Sequence, residues 1–272
     1  MQPELKIQSH SQSEHYPPAK RFENQVALVV GGAQGIGRAI ALRLAREGAH
    51  IVIADIDHEK MATAAGEISA EGVDVESVAC DVRDSGQVDR MVEHLIERYQ
   101  RIDVLMYVAG VCKGVPFTET DEELWDFTLD TNLKGAFLVS RAVVPHMIQR
   151  RSGNLVFMAS TNSWEGETLQ APYNASKAGV FLLAKTLARE LGRHGIRSNA
   201  LGPGFIRTRL SEPFLKDPEF IAKYCSDNGS NAIPLGRLGI PEDVAGPAAF
   251  LASSDASFVN GVLLFVDGGQ LA

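Results

Sequence analysis

Cysteine is scarce in this chain. Only Cys80, Cys112 and Cys225 occur among 272 residues, and none forms a C-x-x-C pair. That excludes a disulfide framework and a zinc site built on paired cysteines. It suits a reducing compartment, so a cytoplasmic protein is expected. Long apolar runs are missing too. None approaches the roughly 18 residues of a membrane span, and the first 22 residues lack the apolar core of a secretory signal. Basic charge is also short. Lys and Arg number 26 against 34 Asp and Glu, a net charge of -8, and no local basic cluster offsets it. Nucleic acid and anionic membrane surfaces are therefore not expected partners. The seven histidines fall at no metal-ligand spacing, so no metal is expected.

What is present is apolar substance, 45% of the residues, in a chain long enough to bury a large core. Met1 to about Arg21 is polar and reads as a mobile tail, because it has little to bury against its ordering entropy. From Val26 onward short apolar runs alternate with helix-length segments. The runs are VALVV (26–30), IVIA (51–54), VESVA (75–79), VLMYVA (104–109), LVFMAS (155–160), IRSNAL (196–201) and VLLFV (262–266). Nearly continuous apolar runs of this length are what parallel strands covered on both faces require. Between them, Ile40, Leu44 and Ala45 share one helical stripe, and Val88, Met91, Val92, Leu95 and Ile96 share another. The expectation is one α/β domain over residues 22–272, with a doubly wound, seven-stranded parallel sheet of Rossmann type.

The first run leads into VGGAQGIGRAIA, with Gly31, Gly35 and Gly37 spaced G-x-x-x-G-x-G. A strand-to-helix turn without side chains lets a pyrophosphate reach the N–H groups at the helix start. The strand before it and the amphipathic helix after it are the context this motif needs. The second run ends at Asp55, placed to accept hydrogen bonds from an adenosine ribose and to repel a ribose phosphate. That favours NAD over NADP; the competing reading is a solvated strand-end aspartate like nearby Asp57. Arg38 reads as a charge on the helix's polar face.

Tyr173 and Lys177 stand four apart in APYNASKAGVFLLAKTLAREL, on one face of a predicted helix. A cation beside a phenol stabilises the phenolate and makes a usable acid/base group. Ser160 ends a predicted strand at the rim where open α/β sheets bind ligands, and its hydroxyl can meet a substrate oxygen without carrying charge. Asn132, in LDTNLKGAF, offers an amide that can hold a water in a proton relay. NALGPGFIRT supplies a rigid turn, with Pro203 and Gly204, beside the expected nicotinamide position.

With these motifs in this order, the sequence resembles the short-chain dehydrogenase/reductase family, in its compact single-domain branch, over about residues 22–270. The resemblance rests on the glycine turn, Asp55, CDV at 80–82, Ala109-Gly110, TNLKG, Ser160, Tyr173-x-x-x-Lys177, PG with Thr208, and VDGG near the end. It implies that Ser160 polarises the substrate oxygen and Tyr173 exchanges its proton. Lys177 lowers the Tyr173 pKa and binds the nicotinamide ribose, and Asn132 anchors the relay water. It further implies that Gly31, Gln34, Gly35, Ile36, Gly37, Asp55, Ala109, Gly110, Pro203 and Gly204 join Tyr173 and Lys177 in binding the cofactor. Asp81 and Val82 flank the adenine, and Ile206 and Thr208 meet the carboxamide. Two departures stand out: Val30 where the family usually has Thr, and Tyr107-Val108 where it usually has two asparagines.

The expected function is NAD-dependent interconversion of a secondary alcohol and a ketone, on a polyol, sugar or related hydroxylated small molecule. That substrate preference comes from the polar loop TNSWEGETLQAP, where Trp164 can stack on a ring and Glu165 or Glu167 can accept hydroxyl hydrogen bonds. The alternatives are an NADPH-dependent 3-oxoacyl reductase, which Asp55 counts against, and a non-catalytic dinucleotide sensor. A sensor would be expected to have lost Tyr173 or Lys177. A substrate lid is expected over about residues 205–233, and a symmetric homotetramer is what the resemblance implies.

Overall fold

The computed structural model describes residues 20–219 and 233–272. Its centre is a seven-stranded sheet in the order β3-β2-β1-β4-β5-β6-β7, parallel throughout. The strands are β1 Val26–Val30, β2 His50–Asp55, β3 Val75–Ala79, β4 Val104–Tyr107, β5 Gly153–Met158, β6 Ile196–Pro203 and β7 Leu263–Val266. The helices are α1 Gly35–Arg46, α2 His58–Ser69, α3 Ser85–Tyr99, α4 Glu122–Leu129, α5 Gly135–Arg150, α6 Ala171–Leu191, the single turn α7 Glu212–Leu215, and α8 Pro241–Ala252.

The strands alternate their side chains between two helical layers. Ala27 and Val29 of β1 pack with Ile40 and Leu44 of α1, Met61 and Ile68 of α2, and Val244 and Leu251 of α8. Val26, Leu28 and Val30 face the other way, into Val92 and Leu95 of α3, Val139 and Val143 of α5, and Val180 of α6. Acidic caps start three helices. Asp57, Asp84 and Asp121 accept from the backbone N–H of Lys60, Gln87 and Leu124 in the first turns of α2, α3 and α4. The order reverses at β1, whose neighbours are β2 and β4. That reversal opens a crevice at the strands' C-terminal ends, where such sheets hold ligands.

The expected strands are all present, five of the seven with shifted ends. β5 starts at Gly153 and stops at Met158, so Ser160 lies just past the strand instead of ending it. β3 and β7 are the sheet's edges, and their residues are only partly covered. The tail boundary also needs correcting. Arg21, assigned to the tail, is anchored: its guanidinium reaches Glu47 at 2.6 Å and Asp255 at 2.8 Å. Phe22 beside it is fully buried. A charged residue with two acidic partners next to a buried ring is held by the core, not by its own composition. Residues 1–19 of that tail, and residues 220–232 of the expected lid, lie outside the described residues.

Candidate active site

The glycine turn is built by close approaches that side chains would block. Gly31 is at φ +81°, and a Cβ there would strike the Ala109 backbone; one on Gly37 would strike the Gly31 carbonyl. Gly35, at φ +55°, opens α1, and its missing side chain lies under Thr208, whose Cγ2 would be 3.5 Å from a Cβ. Gln34 is extended and makes no side-chain cap, so the N–H groups of the first turn, including Ile36, face outward without a capping side chain. This cradle suits a pyrophosphate. Asp55 belongs to the same turn: Oδ2 accepts from Ala33 N at 3.2 Å, and Oδ1 from Ile56 N at 2.8 Å. Arg38 is paired with Glu67 at 2.6 Å, as a surface charge would be.

Further along the rim the expected cofactor contacts divide. The Asp81 carboxylate is bound by Arg83 at 2.6 Å, and Val82 packs into the core beside Tyr107 and Gly135. Ala109 N and Val108 N both donate to the Val30 carbonyl, at 2.9 and 2.8 Å. They hold the end of β4 to the glycine turn although Val30 offers no hydroxyl. Pro203 closes β6, and Gly204 N donates to the Val266 carbonyl at 3.1 Å. Thr208 faces the glycine turn, whereas Ile206 is buried against Gly239.

Four side chains gather opposite that cradle. Ser160 caps a short 3-10 turn, Thr161–Ser163, which is stitched to α6 because Ser163 Oγ donates to the Lys177 carbonyl at 2.9 Å. Tyr173 and Lys177 sit one turn apart near the start of α6, with the ammonium 5.6 Å from the ring centroid. Lys177 is 3% exposed, and its Nζ donates to the Met158 carbonyl at 2.7 Å. Asn132 is buried in a π turn, Asp130–Lys134, between α4 and α5. Such turns re-aim a side chain by adding one residue to the helical repeat.

The Asn132 carboxamide is engaged on both ends. Oδ1 accepts from Val111 N at 2.8 Å, while Nδ2 donates to the Val111 carbonyl at 3.0 Å and to Ser176 Oγ at 2.9 Å. It therefore ties the loop after Gly110 to α6. A Cβ on Gly110 would stand 3.2 Å from Lys177 Nζ and 3.3 Å from Asn132 Oδ1, so the glycine leaves both groups facing one space.

Burial shapes the ionisations here. It pushes the Lys177 ammonium down to about 8, because the charged form loses its hydration. Burial pushes the Tyr173 phenol up, with the nearby Cys112 adding to the rise and a hydrogen bond with Ser160 opposing it. The lowering of Tyr173 expected from Lys177 is therefore not what dominates in the protein alone; the ammonium is turned toward Met158. Cys112 is raised to about 11 by burial, which keeps it a neutral thiol.

Ser160, Tyr173, Lys177 and a π-turn Asn132 converge beside a glycine turn carrying Asp55, and a family profile described as "Enoyl-(Acyl carrier protein) reductase" matches residues 31–270. The chain belongs to the short-chain dehydrogenase/reductase family. Two curated relatives are each 40% identical. One is (2S)-[(R)-hydroxy(phenyl)methyl]succinyl-CoA dehydrogenase subunit BbsD of Thauera aromatica, over 92% of this chain and 97% of the relative. The other is 3-oxoacyl-[acyl-carrier-protein] reductase FabG of Thermotoga maritima, over 92% and 98%. Among solved structures, a gluconate 5-dehydrogenase from Burkholderia cenocepacia, in complex with NADP and tartrate, superposes with a TM-score of 0.88. It is 35% identical and covers 94% of this chain and 99% of its own. This short-chain dehydrogenase/reductase is thus an oxidoreductase that uses a nicotinamide dinucleotide and acts on CH–OH groups of small molecules.

Of the substrate residues read from the sequence, Trp164 is 71% exposed and Glu165 is exposed as well. The Glu167 carboxylate accepts from Thr168 N at 3.1 Å. The loop does bring Asn162 beside Ser160, and Gln170 onto Asn162 and Cys112; sequence reasoning passed over both as loop polarity. Tyr107 was also missed as a site residue: its buried hydroxyl donates to the Thr131 carbonyl at 2.5 Å, inside the π turn. A recess of about 850 Å3 opens at the N-terminal ends of the strands, away from the crevice, lined by Arg101, Asp103 and Arg197 among others. Arg101 is paired with Asp103 there, and Arg197 donates to the Leu251 and Ser253 carbonyls. Among the described residues no group of three His, Cys, Asp or Glu is placed to hold a metal.

Proposed function

We propose that this short-chain dehydrogenase/reductase uses NAD, and that its substrate is a secondary alcohol or ketone of the polyol, sugar or related hydroxylated class. The observation that carries the cofactor reading is the Asp55 carboxylate, held at the glycine turn by the N–H of Ala33. A negative charge fixed there accepts from ribose hydroxyls and repels a phosphate at the same position. A nicotinamide dinucleotide bound at this turn would supply the hydride acceptor or donor and, in its oxidised form, a positive charge.

The chain's own residues manage the proton and the geometry. Tyr173, as the phenolate that Lys177 and the positive charge of a bound oxidised cofactor would favour, takes the proton of the alcohol's hydroxyl as the carbonyl forms, and returns it in the reverse direction. Ser160 Oγ accepts from Asn162 N at 3.1 Å, while its own hydrogen faces the Tyr173 hydroxyl and, in a long contact of 3.4 Å, Asn162 Oδ1. A substrate oxygen placed beside Tyr173 would take that hydrogen. Lys177 holds its ammonium beside the phenol and keeps donors for a ribose, since Met158 takes only one. Asn132 Oδ1 and Lys177 Nζ share the space over Gly110, where a water would link them and continue the relay.

Similarity to the Thermotoga reductase favours a second reading, an NADPH-dependent 3-oxoacyl reductase; Asp55 and the pairing of Arg38 with Glu67 speak against it. A non-catalytic sensor would not need Tyr173 and Lys177 kept on one helix face. Exposed Phe137 on α5 and Leu182 on α6 support a homo-oligomer formed through those helices, and light scattering that reports a monomer would refute it. The decisive catalytic test is Tyr173→Phe, which should abolish turnover while leaving cofactor affinity nearly intact. Unchanged turnover would end the mechanism.

A further inference from the structure

We infer that Gln170 is a specificity-determining residue, presenting a fixed N–H donor to a second oxygen on the substrate, a hydroxyl or a carboxylate. The inference rests on the reading of the Ser160–Tyr173 cleft as the place of hydride transfer, and adds what the substrate carries beside its reacting carbon.

Gln170 is 7% exposed and occupies the N-cap position of α6, three residues before Tyr173, yet its side chain caps nothing. Its Oε1 is held twice, accepting from Asn162 Nδ2 at 3.1 Å and from Cys112 Sγ at 3.5 Å. The direction of these bonds is settled by a backbone group. The Glu167 carbonyl can only accept, and it accepts from Asn174 Nδ2 at 2.8 Å. Asn174 therefore turns Oδ1 toward Asn162, where it accepts from Nδ2 at 2.7 Å. The same Nδ2 spends its remaining hydrogen on Gln170 Oε1, and Asn162 Oδ1 is left facing the hydroxyls of Ser160 and Thr161. Reversing any one amide would set N–H against N–H or oxygen against oxygen.

Three amides in series thus leave Gln170 Nε2 as the terminal donor. It has no hydrogen-bond partner among the described residues and is not fully sealed from solvent. One end of the series is Ser160, expected on the reacting oxygen. The other end adjoins Cys112, on the loop that Asn132 ties to α6. A donor whose carbonyl end is pinned twice has lost its rotational freedom before the ligand arrives, so an oxygen placed on it binds with little further ordering cost. A substrate with only apolar carbon there would cover the donor and leave it unpaired. A site built this way discriminates against the analogue that lacks the oxygen.

The test compares trans-1,2-cyclohexanediol with cyclohexanol on the full chain saturated with NAD. Affinity is read by saturation-transfer NMR and calorimetry, and kcat/KM alongside. The wild-type protein should favour the diol by roughly tenfold or more, and Gln170→Leu should erase that ratio. Gln170→Met keeps the side chain's length and removes both polar atoms, so it should erase the ratio as well; it serves if the leucine variant fails to fold. Equal binding of the two probes by the wild type, no binding of the diol, or a ratio that survives in the folded variants would overturn the inference. Tyr173→Phe separates it from the catalytic reading. A diol preference that persists without any turnover, in wild type and Tyr173→Phe alike, would sink the mechanism and leave the Gln170 subsite standing.

Discussion

Replacing Lys177 with Met tests whether this lysine is buried as a strained cation. Its ammonium is 3% exposed, bonded to the Met158 carbonyl, and pushed from an ordinary value of 10.5 to about 8. Because the folded pKa lies below the unfolded one, the unfolded chain binds more protons between about pH 8 and 10.5. Stability contributed by this group therefore rises with pH across that window, and the full cost of burying the charge is present below it. A tenfold loss of proton affinity corresponds to about 1.4 kcal/mol. Applying the two pKa values, the cost is about 3 kcal/mol at pH 7 and about 2 kcal/mol at pH 9. Wild type should thus gain about 1 kcal/mol on Lys177→Met over that interval. Urea unfolding of both proteins, at one protein concentration and at pH 7, 8 and 9, measures the gap. Cys80 and Cys112, both raised to about 11, push the other way above pH 9 and weigh little below it; Cys80 cancels between the two proteins, and Cys112, which feels the Lys177 charge, is kept out by staying at or below pH 9. A gap that stays constant from pH 7 to pH 9, or that moves against the wild type, refutes the assignment of a depressed lysine.

Two more outcomes are expected. Asp55→Asn keeps the shape at the glycine turn and removes the charge, so the NAD/NADP ratio of kcat/KM should fall roughly tenfold; an unmoved ratio removes Asp55 from the ribose site. Tyr107→Phe deletes only the hydroxyl that reaches the Thr131 carbonyl. It should cost about 1 kcal/mol of unfolding free energy and lower kcat more than it raises KM, because the π turn aims Asn132. Wild-type stability and kcat in that variant would show that the bond positions nothing.

The sheet was legible in the sequence wherever period and chemistry agreed. VALVV and VESVA fall on β1 and β3 residue for residue, because turn-forming residues bound both. β5 was misplaced at its ends: Gly153 and Asn154 are not apolar, yet they pair with Ile196 and Arg197 in the ladder. Tyr173 and Lys177 were legible as a pair because four-residue spacing is local geometry. The π turn was not, since LDTNLKG reads as ordinary helix and the extra residue per turn depends on what Asn132 and Tyr107 meet across the fold. The amide series was beyond reading for a similar reason. Asn162, Gln170 and Asn174 look like polar loop and helix residues until the Glu167 carbonyl is seen to orient them. Trp164 and the loop glutamates, more conspicuous by type, stand in solvent or bond their own neighbours.

The clamp on Arg21 has a consequence for how the molecule comes apart. Glu47 is buried and holds both Arg21 and Arg43 at 2.6 Å, while Arg21 also grips Asp255, in the short turn that follows α8 on the way to β7. β7 is an edge strand, the kind of element that frays first. Here its approach is fastened to the residue that leads the chain into β1 at the sheet's centre. Loosening the approach to the last strand therefore also disturbs the entry to the first, through a tie whose Asp255 end is half exposed and adds at most about 1 kcal/mol.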